Sequence, residues 1–228
     1  KEGKIVIMLP GPPKELYPMF ESKVLPYLKS KTDSTIRSKV LRVIGVGESA
    51  VEHMLKDIFD SQANPTIAPY AKDGEVHLRI TAKTGIPEEA DSLIAEMEQK
   101  VRAILGDNIY GCNEETLEEA VLKLLQEKNL TISLAESCTG GLVASRLTDI
   151  PGASASLISG VVSYSNESKI NILKVREDTI RKYGAVSPQT AEEMAVGAKR
   201  LSNTDIGLSI TGIAGPDGGS AEKPVGLC

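Results

Sequence analysis

The stretch "TISLAESCTGGLVASRLTDI", residues 131–150, joins a buried strand to an amphipathic helix through a glycine turn. Residues 131–135 are apolar or small, which favours a strand covered on both faces, and residues 141–150 have helical spacing. The alternation continues downstream, with strands over 160–165 and 205–211 and helices over 166–173, 175–184 and 188–201. Helices alternating with buried strands predict a layered α/β/α domain, whose ligands bind beyond the carboxyl ends of the strands.

Two smaller regions precede this domain. Residues 35–111 have the order β-α-β-β-α, which predicts a small α+β domain of the split βαβ type. Residues 1–34 indicate a strand over Lys4–Leu9, a proline-rich turn and a helix through about Leu28, and are either the edge of a further sheet or a plain connector. The third domain, residues 112–228, opens with a helix that we expect Asn113 to cap.

Composition excludes several classes of protein. The chain has 228 residues and a formal charge of -5, and residues 36–110 hold nine Lys and Arg against twelve Asp and Glu, a net charge of -3. This balance and the lack of a GxxG loop favour a structural or spacer role for the middle domain over RNA binding. We expect no direct nucleic-acid partner.

The location of the protein is predicted from its apolar runs and its cysteines. No apolar run is long enough to span a membrane, and no leader opens the chain. Cys112, Cys138 and Cys228 follow neither a disulfide framework nor a zinc pattern, so we expect a reducing cytoplasm and no membrane partner. Both ends interrupt strand-like runs, which predicts a segment of a longer protein.

Three strand ends of the third domain carry hydroxyls or glycine, and we expect them to form one pocket. They are Ser137–Gly141, Tyr164–Asn166 and the stretch from Thr211 and Gly212 into "IAGPDGG". Ser137 at a tight strand-to-helix turn would project from the sheet as a nucleophile, with N–H groups around Thr139 and Gly140 holding an oxyanion. The alternative is that Thr139 caps the helix and that Gly140 and Gly141 only permit close packing.

A proton carrier is the second requirement, and histidine is excluded because His53 and His77 lie in the middle domain. Asn166 can cap a helix with Lys169 in its first turn, where the helix dipole lowers the pKa of an ammonium, so Lys169 is a candidate base. The alternative is an exposed lysine, or one paired with Glu167 or Glu136. Tyr164 is a second proton carrier, and Cys138 is assigned to packing.

The motifs "AESCTGG", "VVSYSNESK", "GAVSPQTAEEMA" and "TGIAGPDGGSAEKPVG" resemble those of the CinA family, whose carboxyl-terminal domain is a nicotinamide-nucleotide amidase. The stretch "IMLPGPPKELYPMF" resembles the end of that family's molybdopterin-binding-like amino-terminal α/β domain, and residues 35–111 resemble its middle domain. Most of the amino-terminal domain is missing here. The resemblance therefore gives no reason to expect of this chain that domain's ADP-ribose pyrophosphatase activity, which uses a divalent metal.

The resemblance implies hydrolysis of nicotinamide mononucleotide to nicotinate mononucleotide and ammonia, without a cofactor or metal. It implies Ser137 as nucleophile, Lys169 as base, Tyr164 as its helper and Thr211 among the substrate contacts. With the strand ends, the substrate-binding set becomes Thr139, Gly140, Gly141, Asn166, Thr211 and Gly212. We expect a homo-oligomer whose partner is a small nucleotide. One alternative is a nucleotide-binding regulatory module in competence or the DNA-damage response, with a recombinase as a partner that no residue pattern supports. The other alternative is a hydrolase for another small amide.

Overall fold

The structure is a computed structural model that describes residues 4–228 and divides into two units between Glu114 and Glu115. The predicted strand over Lys4–Leu9 is wrong, because residues 4–10 have no regular structure, and Val6 and Met8 are 88% and 91% exposed. A strand needs a neighbour to take its backbone hydrogen bonds, and no described strand pairs with this stretch.

The helix predicted after the proline-rich turn is confirmed, in three pieces. Helix α1 (Pro13–Met19) continues through a π-helical turn (Phe20–Val24) into α2 (Leu25–Lys29). Pro18 and Pro26 cannot donate a backbone hydrogen bond, which accounts for the irregular helical turn between them.

The remainder of the first unit is a four-stranded antiparallel sheet in the order β2-β3-β1-β4, with helices on one face. Its elements are β1 (Thr35–Ile44), α3 (Glu48–Met54), α4 (Lys56–Ser61), β2 (Thr66–Lys72), β3 (Glu75–Thr84), α5 (Pro87–Leu105) and β4 (Ile109–Cys112). The predicted β-α-β-β-α order is confirmed. Strand β4 was not predicted, because "IYGC" is too short to show alternation and contains a glycine.

The core of the first unit lies between this sheet and α5. Alternate strand residues such as Leu41, Val43 and Leu78 are fully buried and meet the buried face of α5. That face carries Ile94 and Val101, part of the apolar stripe expected after Pro87.

The second unit is a three-layer α/β/α arrangement, as predicted. Its elements are α6 (Leu117–Glu127), β5 (Ile132–Glu136), α7 (Leu142–Thr148), β6 (Leu157–Val162), α8 (Asn166–Asn171), α9 (Glu177–Tyr183), α10 (Pro188–Ser202) and β7 (Ile206–Ile210). The strands are parallel, in the order β6-β5-β7, and every residue of the central β5 is buried. Leu134 of β5 packs with α6 and α7 on one face, and Ala135 packs with α10 on the other.

Two predicted helix caps are wrong. The N-cap of α6 is Thr116, whose hydroxyl accepts from the N–H of Glu119, because this pair forms a capping box three residues after Asn113. Asn113 instead follows β4, with a φ of 54° and its N–H bonded to the carbonyl of Val40. The N-cap of α8 is Ser165, whose hydroxyl accepts from the N–H of Ser168, so Asn166 is the first residue inside that helix.

Candidate active site

The three strand ends that the sequence singled out lie side by side at the carboxyl edge of the second sheet. Glu136, the last residue of β5, pairs with Val162 of β6 and Ile210 of β7. Beyond this row the N–H of Ser137 donates to the carbonyl of Ile210 at 3.0 Å. The N–H of Ser163 donates to the carbonyl of Glu136 at 2.8 Å. The structure therefore brings Ser137, Ser163 and Thr211 to one edge.

Ser137 and Lys169 form a buried pair at this edge. The Nζ atom of Lys169 lies 3.0 Å from the Oγ atom of Ser137, across 32 residues of chain. Lys169 is 1% exposed and Ser137 is 8% exposed, so both groups are largely shielded from bulk solvent. The pairing of Lys169 with Glu136 or Glu167 is absent among the described residues, in which no carboxylate lies within salt-bridge distance of its Nζ atom.

The other contacts of Lys169 determine what its amine can do. Its Nζ atom donates to the carbonyl of Ser163 at 2.7 Å and to the carbonyl of Tyr164 at 3.2 Å. A neutral amine has two N–H donors and one lone pair, and carbonyl oxygens can only accept. The two carbonyls therefore use both N–H groups of the neutral amine, and its lone pair is left to accept the proton of Ser137.

Burial lowers the pKa of Lys169, because an ammonium loses its hydration in the protein interior. The expected cause, the dipole at the start of α8, is not the main one. The N–H of Lys169 already donates to the carbonyl of Ser165, so the residue lies one turn inside a six-residue helix. A thiolate at Cys138 would oppose the shift, but burial and the neighbouring Cys228 raise the pKa of that thiol and keep it neutral.

The turn after Ser137 depends on Glu136, which was not predicted as a site residue. Gly140 and Gly141 have φ values of 61° and 102°, in the left-handed region that favours glycine. Gly141, not Thr139, is the N-cap of α7. The carboxylate of Glu136 accepts from the N–H groups of Gly141 at 3.0 Å, Val143 at 3.2 Å and Ala144 at 2.8 Å. A charged residue closing a fully buried strand is the signal that would have identified it.

Hydrogen bonds keep Glu136 ionised although it is 1% exposed. Burial alone would raise its pKa, but the N–H groups of Gly141, Val143 and Ala144 hold that pKa below its usual value. The carboxylate is therefore a fixed negative charge that anchors the Ser137 turn to α7.

The backbone N–H groups of this turn are divided between two uses. The N–H of Gly140 donates to the carbonyl of Ser137 at 3.1 Å, so it is not free for an oxyanion, contrary to expectation. The N–H groups of Cys138 and Thr139 bond no carbonyl or carboxylate oxygen within residues 4–228. These two N–H groups, which also act on the sulfur of Cys138, are the donors next to Ser137 that no oxygen of the described residues takes.

The remaining predicted residues lie around this pair with different exposure. Tyr164 is 70% exposed and its carbonyl, not its phenol, contacts Lys169. Asn166 is exposed at the start of α8. Thr211 is 7% exposed, and its hydroxyl donates to the carbonyl of Ala185 at 3.0 Å. A Cβ atom on Gly212 would lie 2.6 Å from the carbonyl oxygen of Leu227, so only glycine fits there.

Replacing Glu136 with glutamine is expected to lower the free energy of unfolding by about 2 to 3 kcal/mol at pH 7. The carboxylate accepts three N–H groups through its two oxygens, whereas the amide has a single oxygen and an NH2 group that can only donate. Glu127→Gln, an exposed change at the end of α6, should alter it by less than about 0.5 kcal/mol. Because folding lowers the pKa of Glu136, the difference should be full above pH of about 4.3 and shrink as the pH falls further. Urea unfolding at several pH values measures it, and equal losses for both variants would contradict it.

No helix among residues 4–228 is both long and apolar enough to cross a membrane. In the same described residues, no group of three or more His, Cys, Asp or Glu side chains is placed to hold a metal ion.

Two family models match the chain. The model described as "CinA C-terminal domain" matches residues 114–228, and the one described as "Damage-inducible protein CinA KH domain" matches residues 38–111. The first therefore covers the Ser137 and Lys169 site, and the second covers most of the antiparallel sheet of the first unit.

Curated proteins and solved structures resemble the chain as well. A competence-damage inducible protein of Clostridium botulinum (strain 657, type Ba4) is 57% identical over 227 residues, which are 100% of this chain and 56% of that protein. One of Thermoanaerobacter pseudethanolicus is 56% identical over 100% of this chain and 55% of its own length. The crystal structure of competence/damage inducible protein CihA from Agrobacterium tumefaciens is 48% identical over 48% of this chain and 67% of that chain, with a TM-score of 0.47.

The chain spans about half the length of the curated relatives it matches. Over that span the similarity is continuous, since the two relatives align over 227 residues and the two family models together match residues 38–111 and 114–228. The chain therefore belongs to the CinA family of competence-damage inducible proteins.

Proposed function

We propose that the second unit hydrolyses the carboxamide of nicotinamide mononucleotide to nicotinate mononucleotide and ammonia. One observation carries the chemistry: the Nζ atom of Lys169 lies 3.0 Å from the Oγ atom of Ser137 while two carbonyls hold its N–H groups. A pocket that only bound a nucleotide would have no need for a buried amine aimed at a hydroxyl. The choice of substrate follows from the motifs that this chain shares with the CinA family.

The first half of the reaction forms an acyl-enzyme. Ser137 transfers its hydroxyl proton to Lys169 as its Oγ atom attacks the carboxamide carbon, which gives a tetrahedral intermediate. The N–H groups of Cys138 and Thr139 hold the oxyanion. The intermediate then collapses, the C–N bond breaks, and the ammonium of Lys169 returns its proton to the departing nitrogen, which leaves as ammonia.

The second half of the reaction repeats these steps with water. Lys169, neutral again, takes a proton from water as the water oxygen attacks the ester carbon of the acyl-enzyme. The bond to Ser137 Oγ breaks, the serine regains its proton, and the acid is released. The steps need only residues of this chain, and general base catalysis of this kind contributes about 10²- to 10⁴-fold.

Cys138 is the other nucleophile in the turn, and two observations disfavour it. Burial and Cys228 raise the pKa of its thiol, which reduces the reactive thiolate. Its Sγ atom lies 3.9 Å from that of Cys228, whereas the amine of Lys169 contacts the serine.

The decisive experiment measures ammonia release from nicotinamide mononucleotide by the chain extended to the full length of its relatives. Nicotinate mononucleotide, which has no amide, is the control substrate. Ammonia and acid formed in equal amounts would support the amidase. Binding without turnover would overturn it in favour of a nucleotide-binding regulatory module, and turnover of other small amides alone would change the substrate. The cytoplasmic location and the homo-oligomeric state stay predictions.

A further inference from the structure

A cavity of about 470 Å³ lies within the second unit, and its lining reaches the neighbours of the nucleophile turn without including Ser137 or Lys169 themselves. Its lining includes Thr211, and the preceding residue, Ile210, accepts the N–H of Ser137 through its carbonyl. On another side it is lined by Cys228, whose Sγ atom is 3.9 Å from that of Cys138. The cavity therefore adjoins the nucleophile turn, and its volume is in the usual range for small-molecule sites, about 300 to 1,000 Å³.

Lys223 brings a positive charge to the wall of this cavity. Its Nζ atom donates to the carbonyl of Tyr183 at 2.8 Å and to the carbonyl of Val186 at 2.7 Å. Both acceptors are uncharged, and within residues 4–228 no carboxylate lies within 4.0 Å of this Nζ atom. An ammonium has three donors, so one N–H and the whole charge of Lys223 remain for a ligand.

The rest of the wall is compatible with an anion on this side. Ser187, Pro188 and Gln189, at the positive end of the 15-residue helix α10, line the cavity next to the segment that Lys223 contacts. Glu222 is the one acidic residue of the lining, and it is exposed to solvent. Apolar side chains such as Val186 and Leu227 line other parts.

We propose that this cavity binds the phosphate end of the substrate, and that Lys223 is the residue by which the protein distinguishes a mononucleotide from the unphosphorylated nucleoside. The inference rests on the proposed amidase for the identity of the substrate. The anion site itself rests on the cavity and on the uncompensated charge of Lys223. In this arrangement the carboxamide lies at Ser137 and the phosphate lies at Lys223, on the side of the cavity formed by α9 and α10.

A purely structural role for Lys223 has a different signature. Its two hydrogen bonds also tie the stretch before Pro224 to the segment between α9 and α10. If holding that stretch were its whole function, its loss would impair every substrate alike. An anion-binding role affects only the substrate that carries the phosphate.

The test compares nicotinamide mononucleotide with nicotinamide riboside in the full-length protein. Lys223→Met is expected to raise KM for the mononucleotide about tenfold to hundredfold, the usual value of a hydrogen bond to a charged group, and to change KM for the riboside less than about twofold. Lys223→Arg should restore most of the difference. Lys199→Met, an exposed change at the other end of α10, is the matched control.

Two outcomes overturn the inference: equal changes for the two substrates, or no change for either. If the wild-type protein releases no ammonia from either compound, the amidase has failed and the anion site is tested by titrating nicotinate mononucleotide and nicotinic acid riboside calorimetrically. A mononucleotide affinity that falls at least tenfold in Lys223→Met, with the nucleoside unaffected, would still support it. Equal binding by wild type and variant would overturn it.

Discussion

Ser137→Ala in the full-length protein is expected to release ammonia from nicotinamide mononucleotide at least about 10⁴-fold more slowly than the wild type. Alanine keeps the size and burial of the site but removes the one oxygen that Lys169 can activate, so no acyl-enzyme forms. The variant should still bind the nucleotide, because the hydroxyl contributes little to binding before the reaction. The rate comes from an ammonia assay, and the affinity comes from calorimetry on the same preparation.

Cys138→Ala is the matched control for Ser137→Ala, because it removes the neighbouring nucleophile from the same turn. We expect it to retain activity within about threefold of the wild type, as a small packing change at a half-buried position should. If Cys138→Ala were inactive and Ser137→Ala active, the nucleophile would be the thiol and the mechanism above would be wrong.

Lys169→Ala is expected to lower kcat/KM by about 10²- to 10⁴-fold, the usual contribution of a general base. A small primary amine such as n-propylamine, added in solution, should recover part of this loss by occupying the space of the missing side chain. Lys174→Ala removes an exposed lysine that contacts only the carbonyl of Asn171 through its Nζ atom among the described residues, and it should behave as wild type.

The pH dependence separates a base from a fixed charge. Lys169 acts in its neutral form, and burial lowers its pKa, so wild-type kcat/KM should rise with pH and level off below the ordinary lysine pKa of about 10.4. With n-propylamine in the Lys169→Ala variant, the rise should move toward the pKa of the free amine. Activity that falls as the pH rises, or rescue by amine in its protonated form, would show that Lys169 acts as a cation.

Much of this site could be predicted because it follows from topology. Parallel strands place their carboxyl ends together, so Ser137, Tyr164 and Thr211 could be assigned to one edge before any distance was known. Lys169 was a candidate for the wrong physical reason, since its pKa responds to burial and not mainly to the helix dipole. The sequence shows that Lys169 comes three residues after Asn166, but it does not show that the lysine side chain turns inward and is only 1% exposed.

The errors arose where hydrogen bonds that the sequence pattern does not display decided the structure. Glu136 takes its role from N–H groups that become available only when α7 starts at Leu142. Asn113 lost the capping position to Thr116, because the capping box supplies two hydrogen bonds at once. The apolar run before Leu9 has strand character, but a strand is only as stable as the neighbour that pairs with it.

Within residues 4–228 no carboxylate lies beside Lys169, which has a consequence for how the reaction ends. The proposed product, nicotinate mononucleotide, carries a new carboxylate at the position of the former amide, where it can act as a counter-ion to the ammonium of Lys169. Its presence would raise the pKa of Lys169 and favour an ion pair between product and enzyme. The proposed enzyme would then be inhibited by its own product, most strongly at low pH, and its activity would respond to the amount of acid that has accumulated.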